Sequence, residues 1–421
     1  MISRRSLLVA APAILGCDRL FASLPPAEDR RITGIEVVRV KGRREFDAGR
    51  DQQPKVGPMS LYHPSAGDYR DGPSRDGGYD VTHHYVRILT RNAGEGLYGY
   101  VDFDAIPMLR LIRDAVVGRD AAATELIHDA MIRSHRHSHG AFYMKAVSAI
   151  DNALWDWKGR ALGVPVYQLI GGATRDRVPV YGSCLGYSID PDAAAERSAA
   201  LLRDGFDTQK WFVAYGPSDG RGGMKKNVGL CRSLRDSLGD DGTFMIDASN
   251  GWDLDYATRW CRRVEEFDVG WVEEPFATSD LATYRKLRSR TGVPLATGEH
   301  FVNRFDAQKF LEADAIEVVQ ADPEWCGGVT ELLRIIDSAS ACGVKVYPHG
   351  HNVHAQWHVV AARSPAVCPR VEYLFQWVPE KLLFQSGVPF PTGGHLPLPE
   401  RAGFGIEFDE SVIEERDVWT I

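Results

Sequence analysis

The sequence of 421 residues lacks several features that would place it in particular functional classes. Its formal net charge of −8 leaves no excess of basic residues, which argues against nucleic acid as a partner. Its seven cysteines include no CxxC pair, so neither a complete disulfide framework nor a zinc cluster is indicated. No internal stretch approaches the roughly 18 apolar residues that a transmembrane helix needs. The composition, 44% hydrophobic and 25% charged, is that of a globular protein with a sizeable core.

The first residues have the composition of an export signal. The stretch "MISRRSLLVAAPAILGC" joins a basic start to a short apolar run, and its paired Arg4 and Arg5 resemble a twin-arginine signal. Cys17 closes this run where a lipidated cysteine would stand. We therefore expect residues 1–28 to be a signal segment that directs the protein to the periplasm, with a cytoplasmic protein as the alternative.

Residues 29–168 have the patterns of an α+β domain. Three strand patterns, "ITGIEVVRV", "HHYVRILTRN" and "GLYGYVD", precede helical patterns that end at Gly163 and Pro165. The stretch from Gly42 to Asp80 is rich in Gly, Pro, Asp and Arg and has no periodicity. A loop of this length within a compact domain is usually functional or disordered.

From residue 169 onward, short apolar strands alternate with helical patterns. The strands lie near residues 180, 211, 246, 272, 297, 319, 346 and 372. This alternation predicts an α/β fold with a (β/α)7β TIM-like barrel over residues 169–385. An open doubly wound sheet is the alternative, although no glycine-rich dinucleotide-binding loop follows the first strand. Residues 386–421 are rich in turns and are expected to pack back on the first domain.

Carboxylates end three consecutive predicted strands. Asp247, Glu273 and Glu299 are each 26 residues from the next, and the strand ends of a barrel share one face. Three such carboxylates would repel one another, which a divalent cation prevents, and ligands that are all oxygen favour Mg²⁺. We predict one Mg²⁺ per active site, with the adjacent Glu274 pointing elsewhere in a supporting position. The alternative is that these acids pair with neighbouring Lys or Arg.

A candidate catalytic base follows on the next two strands. Asp322 and His349 end strands six and seven, where the carboxylate would fix the tautomer of the imidazole and raise its basicity. Lys210 and His300 are placed to hydrogen-bond an enolate or to donate to a leaving hydroxyl, and Glu372 on strand eight is assigned to substrate binding. A cation and a histidine base together predict abstraction of a proton α to a substrate carboxylate.

Several long motifs resemble those of the enolase superfamily, mandelate racemase/muconate lactonizing enzyme subgroup, and are most similar to L-rhamnonate dehydratase-like acid-sugar dehydratases. They are "AIDNALWDWKGRALGVPVYQLIGGATRD", "YGPSDGRGGMKKN", "GEH", "QADPEWCGGVTE", "VYPHG" and "GFGIEF". The resemblance implies that the α+β domain caps the barrel and that the C-terminal segment completes the cap. It also implies the same Mg²⁺ ligands, the same base and partner, and a place for His300 in the site.

Two departures from the subgroup bear on the reaction. Racemases of the subgroup carry Lys-x-Lys on strand two, whereas this chain has Phe212 in place of the second lysine, and a single base suits elimination better than racemisation. In the dehydratases that the motifs resemble, the long loop supplies a His and an Arg to the distal part of the substrate. Here Arg75 matches that Arg, whereas no residue clearly matches that His, although His63 lies nearby in the sequence.

We therefore expect a Mg²⁺-dependent acid-sugar (aldonate) dehydratase, a hydro-lyase acting on a small-molecule sugar acid. It would remove the C2 proton and expel the C3 hydroxyl to give a 2-keto-3-deoxy acid. The alternatives are an epimerase, racemase or cycloisomerase of a sugar acid that shares the enediolate step, or a non-catalytic exported sugar-acid binding protein. We also expect a homo-oligomer.

Overall fold

A computed structural model describes residues 23–45, 53–64 and 78–421. Arg4, Arg5 and Cys17 of the predicted signal segment, and the predicted substrate-binding Arg75, lie outside the described residues. Within those residues, no helix is long and apolar enough to cross a membrane.

Three strands and then a group of helices come first, and strands alternate with helices from residue 177 to residue 381, as the sequence patterns predict. The strands are β1 (Ile32–Arg44), β2 (Tyr79–Thr90), β3 (Glu95–Val101), β4 (Arg177–Ser183), β5 (Thr208–Phe212), β6 (Thr243–Asp247), β7 (Val272–Glu273), β8 (Leu295–Thr297), β9 (Val318–Val319), β10 (Lys345–Val346), β11 (Val371–Leu374), β12 (His395–Pro397) and β13 (Glu415–Thr420). The helices are α1 (Ile106–Val116), α2 (Thr124–Arg133), α3 (Ala141–Leu162), α4 (Val166–Ile170), α5 (Pro191–Arg203), α6 (Gly220–Leu238), α7 (Leu254–Val264), α8 (Leu281–Arg288), α9 (Arg304–Glu312), α10 (Gly328–Ala341), α11 (Val353–Ala362) and α12 (Val378–Lys381).

The N-terminal domain is an antiparallel sheet packed against helices. Its strand order is β13-β1-β2-β3, so the last strand of the chain pairs with the first, in a register that sets Glu36 opposite Thr420. The long helix α3 packs on β3 and ends at Gly163, whose φ of 67° is the left-handed conformation that glycine adopts without strain. The predicted completion of this domain by the C-terminal segment is confirmed.

The second domain is the predicted parallel barrel. Eight strands follow the order β10-β9-β8-β7-β6-β5-β4-β11, and all the ladders between them are parallel. In chain order, a helix follows each of the seven strands from β4 to β10. The first barrel strand, β4, pairs with the eighth, β11, as in a barrel and not in a doubly wound sheet. The exact boundaries of 168 and 385 between the domains stay a prediction.

The two domains are joined through buried polar contacts from α3. Asn152 donates to the carbonyl of Pro323 at 3.0 Å and accepts the backbone N–H of Val329 at 3.0 Å. Ser148 accepts the backbone N–H of Gly327 at 2.8 Å. These bonds hold the N-terminal domain against the segment between β9 and α10, which follows the end of the sixth barrel strand.

Candidate active site

Side chains from the barrel strands meet in a polar layer above an apolar floor. The floor is a buried cluster of Tyr181, Met245, Trp271, Ala296 and Val318. Above it, Asp247 and Glu273 end adjacent strands and stand in direct register. Because both side chains occupy equivalent positions on neighbouring strands, they point into the same space, as the 26-residue spacing predicts.

Lys210 lies at the centre of this polar layer. Its ammonium nitrogen is 2.7 Å from Oε1 of Glu273, 2.7 Å from Oε1 of Glu372 and 3.5 Å from Oδ2 of Asp247. Burial by itself lowers the pKa of Lys210, but Glu273 and Glu372 outweigh it and hold that pKa well above its usual value. Its ammonium group therefore faces three carboxylates, and the predicted contact of Lys210 with an enolate stays a prediction.

The carboxylate of Glu273 is fully buried and hydrogen-bonded at both oxygens. Besides Lys210 at Oε1, Gln320 donates to Oε2 at 2.5 Å and Trp271 donates to Oε2 at 3.2 Å. Burial raises the pKa of Glu273, Lys210 opposes that rise, and the negative charges of Asp247, Glu372 and Glu299 add to it. These directions agree with the mutual repulsion that the sequence predicts among the strand-end acids.

Glu274 makes contacts different from those of Glu273, and its predicted supporting position stays a prediction. Its φ of 40° takes the backbone out of the strand conformation, so the usual alternation of side chains breaks between Glu273 and Glu274. Asn250 donates to its Oε2 at 2.8 Å, and Thr297 donates to its Oε1 at 3.1 Å. His300 Nδ1 is 3.0 Å from its Oε2, so Glu274 orients the histidine that follows Glu299.

Two histidines flank Glu299 at the mouth of the barrel. His300 Nδ1 is 3.5 Å from Oε1 of Glu299, and His349 Nε2 is 3.3 Å from Oε2. Burial lowers the pKa of His300, but its hydrogen bond to Glu274 and the nearby carboxylates raise that pKa to about 9. The side chain of His300 is 48% exposed, whereas that of His349 is 11% exposed, so both are reachable from the mouth.

His349 and Asp322 form the predicted pair. Nδ1 of His349 lies 2.6 Å from Oδ2 of Asp322, which is fully buried. Burial lowers the pKa of His349, but the carboxylates of Glu299, Asp322 and Glu372 outweigh it and raise that pKa to about 10. Because Asp322 takes Nδ1, the free nitrogen Nε2 is the atom that faces Glu299 and the mouth.

The donors at the mouth suit a divalent cation. One atom from each of Glu274, Glu299 and His300 lies within 4.8 Å of the others, while Asp247 and Glu273 lie on the neighbouring strand ends. Carboxylate oxygens dominate this set, which fits Mg²⁺. Glu299 belongs to both groups of donors, the predicted one with Asp247 and Glu273 and the compact one with Glu274 and His300.

The two described residues that were assigned to substrate binding differ in burial. Glu372 is fully buried beneath the mouth, where it pairs with Lys210 and accepts the backbone N–H of Gly350 at 2.8 Å. It therefore supports the polar layer in this structure and lies away from the open surface. His63 is exposed, just after a short 3-10 helix (Pro58–Leu61) of the N-terminal domain.

Two further residues at the mouth escaped the sequence analysis. Lys55, from the N-terminal domain, has its ammonium nitrogen 5.8 Å from the centroid of the Phe212 ring. The adjacent Val56 donates its backbone N–H to the carbonyl of Val213 at 2.8 Å, which fixes this segment on the end of β5. Trp325 packs beside the catalytic candidates, with its ring centroid 5.1 Å from that of His349. Their contacts are tertiary, so no local pattern marks either residue.

Comparison with known proteins identifies matching families and relatives. Residues 192–412 match the enolase C-terminal domain-like family, and residues 94–171 match the mandelate racemase / muconate lactonizing enzyme N-terminal domain. The chain is 33% identical to the L-rhamnonate dehydratase of Saccharopolyspora erythraea over 306 residues, which cover 70% of this chain and 75% of that protein.

Solved structures share the architecture. The rhamnonate dehydratase of Gibberella zeae complexed with Mg has a TM-score of 0.77 and 25% identity, covering 91% of this chain and 95% of that chain. The 3,6-anhydro-D-galactonate cycloisomerase of Zobellia galactanivorans has a TM-score of 0.72 and 23% identity, covering 91% of this chain and 100% of that chain. The second likeness concerns the fold alone.

Proposed function

Because the chain belongs to the mandelate racemase/muconate lactonizing enzyme subgroup of the enolase superfamily, we propose that it is a Mg²⁺-dependent dehydratase of acid sugars. The similarity to the L-rhamnonate dehydratases supports the predicted hydro-lyase class. The observation that carries the proposal is the pair of Asp322 and His349, which turns Nε2 of the imidazole toward the carboxylates at the mouth.

In this mechanism, His349 is the general base. Asp322 holds Nδ1, so Nε2, once it has lost its own proton, takes the proton from C2 of the aldonate. Glu299 is among the carboxylates that raise the pKa of His349 to about 10, and a cation bound at Glu299 would lower that pKa. The electron pair left on C2 delocalises into the substrate carboxylate. Mg²⁺ at the carboxylate cluster would supply the positive charge that stabilises this negative charge.

Loss of the C3 hydroxyl completes the reaction. The electron pair returns to form the C2–C3 double bond, and the C3–O bond breaks as the hydroxyl takes a proton and leaves as water. The enol that remains takes up a proton at C3, loses the proton of its C2 hydroxyl and gives the 2-keto-3-deoxy acid. His300, half exposed and oriented by Glu274, is the residue that we assign to protonate the leaving hydroxyl.

Elimination is favoured over the other reactions that begin with the same proton transfer. Phe212 ends β5, where it pairs with Asp247 of β6. Because Phe212 stands where racemases of the subgroup carry their second lysine, β5 offers no second base for the opposite face of the substrate. Racemisation and epimerisation need one group that removes the proton from one face and another group that delivers a proton to the opposite face. A cycloisomerase would also lose the C2 proton but would release no water.

The experiment is a screen of the purified protein against aldonates and aldarates, with L-rhamnonate included. We expect a 2-keto-3-deoxy acid from at least one of them, loss of activity with EDTA and recovery with Mg²⁺. His349→Asn serves as the inactive control. Exchange of the C2 proton with D₂O without loss of water would identify an epimerase or cycloisomerase, and tight binding without exchange or turnover would identify a binding protein.

Export to the periplasm is a separate proposal, supported by the basic start and apolar run of the first residues. Changing Arg4 and Arg5 together to Lys is expected to keep the protein in the cytoplasm, because the paired arginines are what the export machinery reads. Cell fractionation measures the outcome. Unchanged delivery of the double variant to the periplasm would contradict the proposal.

A further inference from the structure

Trp325 lies against three histidines at the junction of the two domains. Its ring centroid is 5.1 Å from that of His349, 5.6 Å from that of His300 and 4.8 Å from that of His351. Its backbone N–H donates to the carbonyl of Asp322 at 3.0 Å. The turn that follows β9 therefore carries both Asp322, the partner of His349, and Trp325, whose ring packs on His349.

The N-terminal domain holds this indole ring in place. Asp102, which follows β3, accepts the indole N–H at 3.0 Å through Oδ2. Lys145 of α3 donates to the same oxygen at 2.5 Å, and its ammonium nitrogen lies 4.8 Å from the centroid of the Trp325 ring. The edge and a face of the indole thus both contact the N-terminal domain.

Asp102 is in turn fixed through its other oxygen. Tyr100 donates to Oδ1 at 2.9 Å, and Nε2 of His351 lies 3.0 Å from Oδ1. Burial raises the pKa of Asp102, but His351 and Lys145 outweigh it and lower that pKa, so Asp102 is a carboxylate. A charged acceptor with four neighbours leaves the indole little freedom to tilt.

The hydrogen bond to Asp322 leaves one movement of His349 unrestrained. It fixes the position of Nδ1, but the imidazole can still swing about the line that joins Nδ1 to Oδ2. Contact with a flat side chain on the ring restricts that swing, and Trp325 makes this contact at an interplanar angle of 35°. The direction of Nε2, and hence of the proton transfer, depends on it.

We propose that Trp325 is a positioning residue that sets the orientation of His349 and His300, and that Asp102 makes this orientation depend on the docked N-terminal domain. The expected effect of Trp325 on the reaction rate rests on the proposed function. The orientation of His349 does not, because it can be measured on the protein without substrate.

The test compares Trp325 with a matched tryptophan at the same domain junction. Trp155 of α3 also donates its indole N–H across the junction, to Thr330 at 2.9 Å, and Lys158 lies 5.5 Å from its ring. We expect Trp325→Leu to lower kcat for exchange of the C2 proton by about 10–100-fold with little change in KM. Trp325→Phe should recover most of the loss because it keeps an aromatic ring, and Trp155→Leu should leave kcat unchanged.

A second arm needs neither substrate nor cation. The imidazole NMR signal of His349, assigned by its loss in His349→Asn, should shift in Trp325→Leu as the indole ring current is removed, and should stay in place in Trp155→Leu. An unmoved signal, an unchanged kcat in Trp325→Leu, or an equal loss of kcat in Trp155→Leu would overturn the inference. Failure of the wild-type protein to turn over any acid sugar would overturn the proposed function alone.

Discussion

Asp322 holds His349 by a hydrogen bond of 2.6 Å between Oδ2 and Nδ1, and the carboxylate is itself fixed at its other oxygen. Oδ1 accepts the backbone N–H of Glu324 at 2.6 Å. Because both of its oxygens are hydrogen-bonded and its side chain is fully buried, the Asp322 carboxylate cannot follow the imidazole when the imidazole moves. The pair therefore fixes the position of Nδ1, and Nε2 lies 3.3 Å from Glu299.

The first prediction concerns this pair. His349→Asn is expected to lower exchange of the substrate C2 proton by about 10²–10⁴-fold, because the amide can occupy the space but cannot take the proton. Keto-acid release should fall with it, while Mg²⁺ binding survives. Proton exchange by NMR and product formation measure the two steps separately.

Two variants serve as controls for the base. Asp322→Asn should give a partial loss, because the geometry remains but the neutral amide no longer stabilises the imidazolium. His395→Asn, on strand β12 and outside the site, should leave exchange unchanged. If His349→Asn still exchanged the proton, the base would have to be another residue.

The barrel could be predicted because each of its strands leaves a local signal. A short apolar run followed by a helical pattern marks each strand, and strands of this kind have only a few ways to assemble. The convergence of Asp247 and Glu273 follows from the same rule, since strand ends share one face. The conformation of Glu274 could not be predicted, because its left-handed backbone is set by tertiary contacts and has no signature in "VEEP".

The second prediction separates the two adjacent acids. Glu273→Gln should weaken Mg²⁺ binding more than Glu274→Gln, because Glu273 stands in register with the predicted ligand Asp247, whereas Glu274 orients His300. Calorimetry with Mg²⁺ measures both affinities on otherwise intact protein. Since Glu274 orients His300, its loss should instead appear in kcat.

The opposite order of affinities would assign the cation to the compact group of Glu274, Glu299 and His300. Glu299→Gln should weaken binding in either arrangement, so it serves as the positive control. Equal and small effects of all three variants would mean that the cation lies elsewhere.

Lys55 shows why part of the site was beyond sequence analysis. The chain brings this residue from the N-terminal domain to the end of β5, more than 150 positions away in the sequence, through the bond between Val56 and Val213. Its amine lies beside Phe212, the residue that replaces the second lysine of strand two. Such a contact depends on how one domain covers the other, which periodicity does not reveal.

The third prediction follows from that position. Lys55→Met is expected to raise KM for the acid sugar with little change in kcat, because the ammonium group beside Phe212 can bind substrate oxygens and is not assigned to the proton transfer. Lys55→Arg should keep most of the affinity. Lys226→Met is the control, since Lys226 is exposed and lies 4.9 Å from the ring of Tyr215 in a similar contact. Equal KM values for Lys55→Met and the wild type would exclude Lys55 from substrate binding.

The last prediction concerns the stability of the polar layer. Lys210 is 1% exposed and separates Glu273 from Glu372, each 2.7 Å from its nitrogen. Lys210→Met would leave these buried carboxylates without their cation, and breaking a buried pair in this way costs about 3–5 kcal/mol. Urea unfolding in the presence of EDTA, so that no divalent cation replaces the lost charge, should show a correspondingly lower free energy of unfolding. Lys309→Met, which removes an exposed pair with Asp306, should change the free energy of unfolding by about 0.5 kcal/mol or less.

Because Lys210 faces carboxylates and not the mouth, the remaining folded Lys210→Met protein should still exchange the C2 proton when Mg²⁺ is restored. Complete loss of exchange in a variant of normal stability would instead make Lys210 a residue that acts on the substrate.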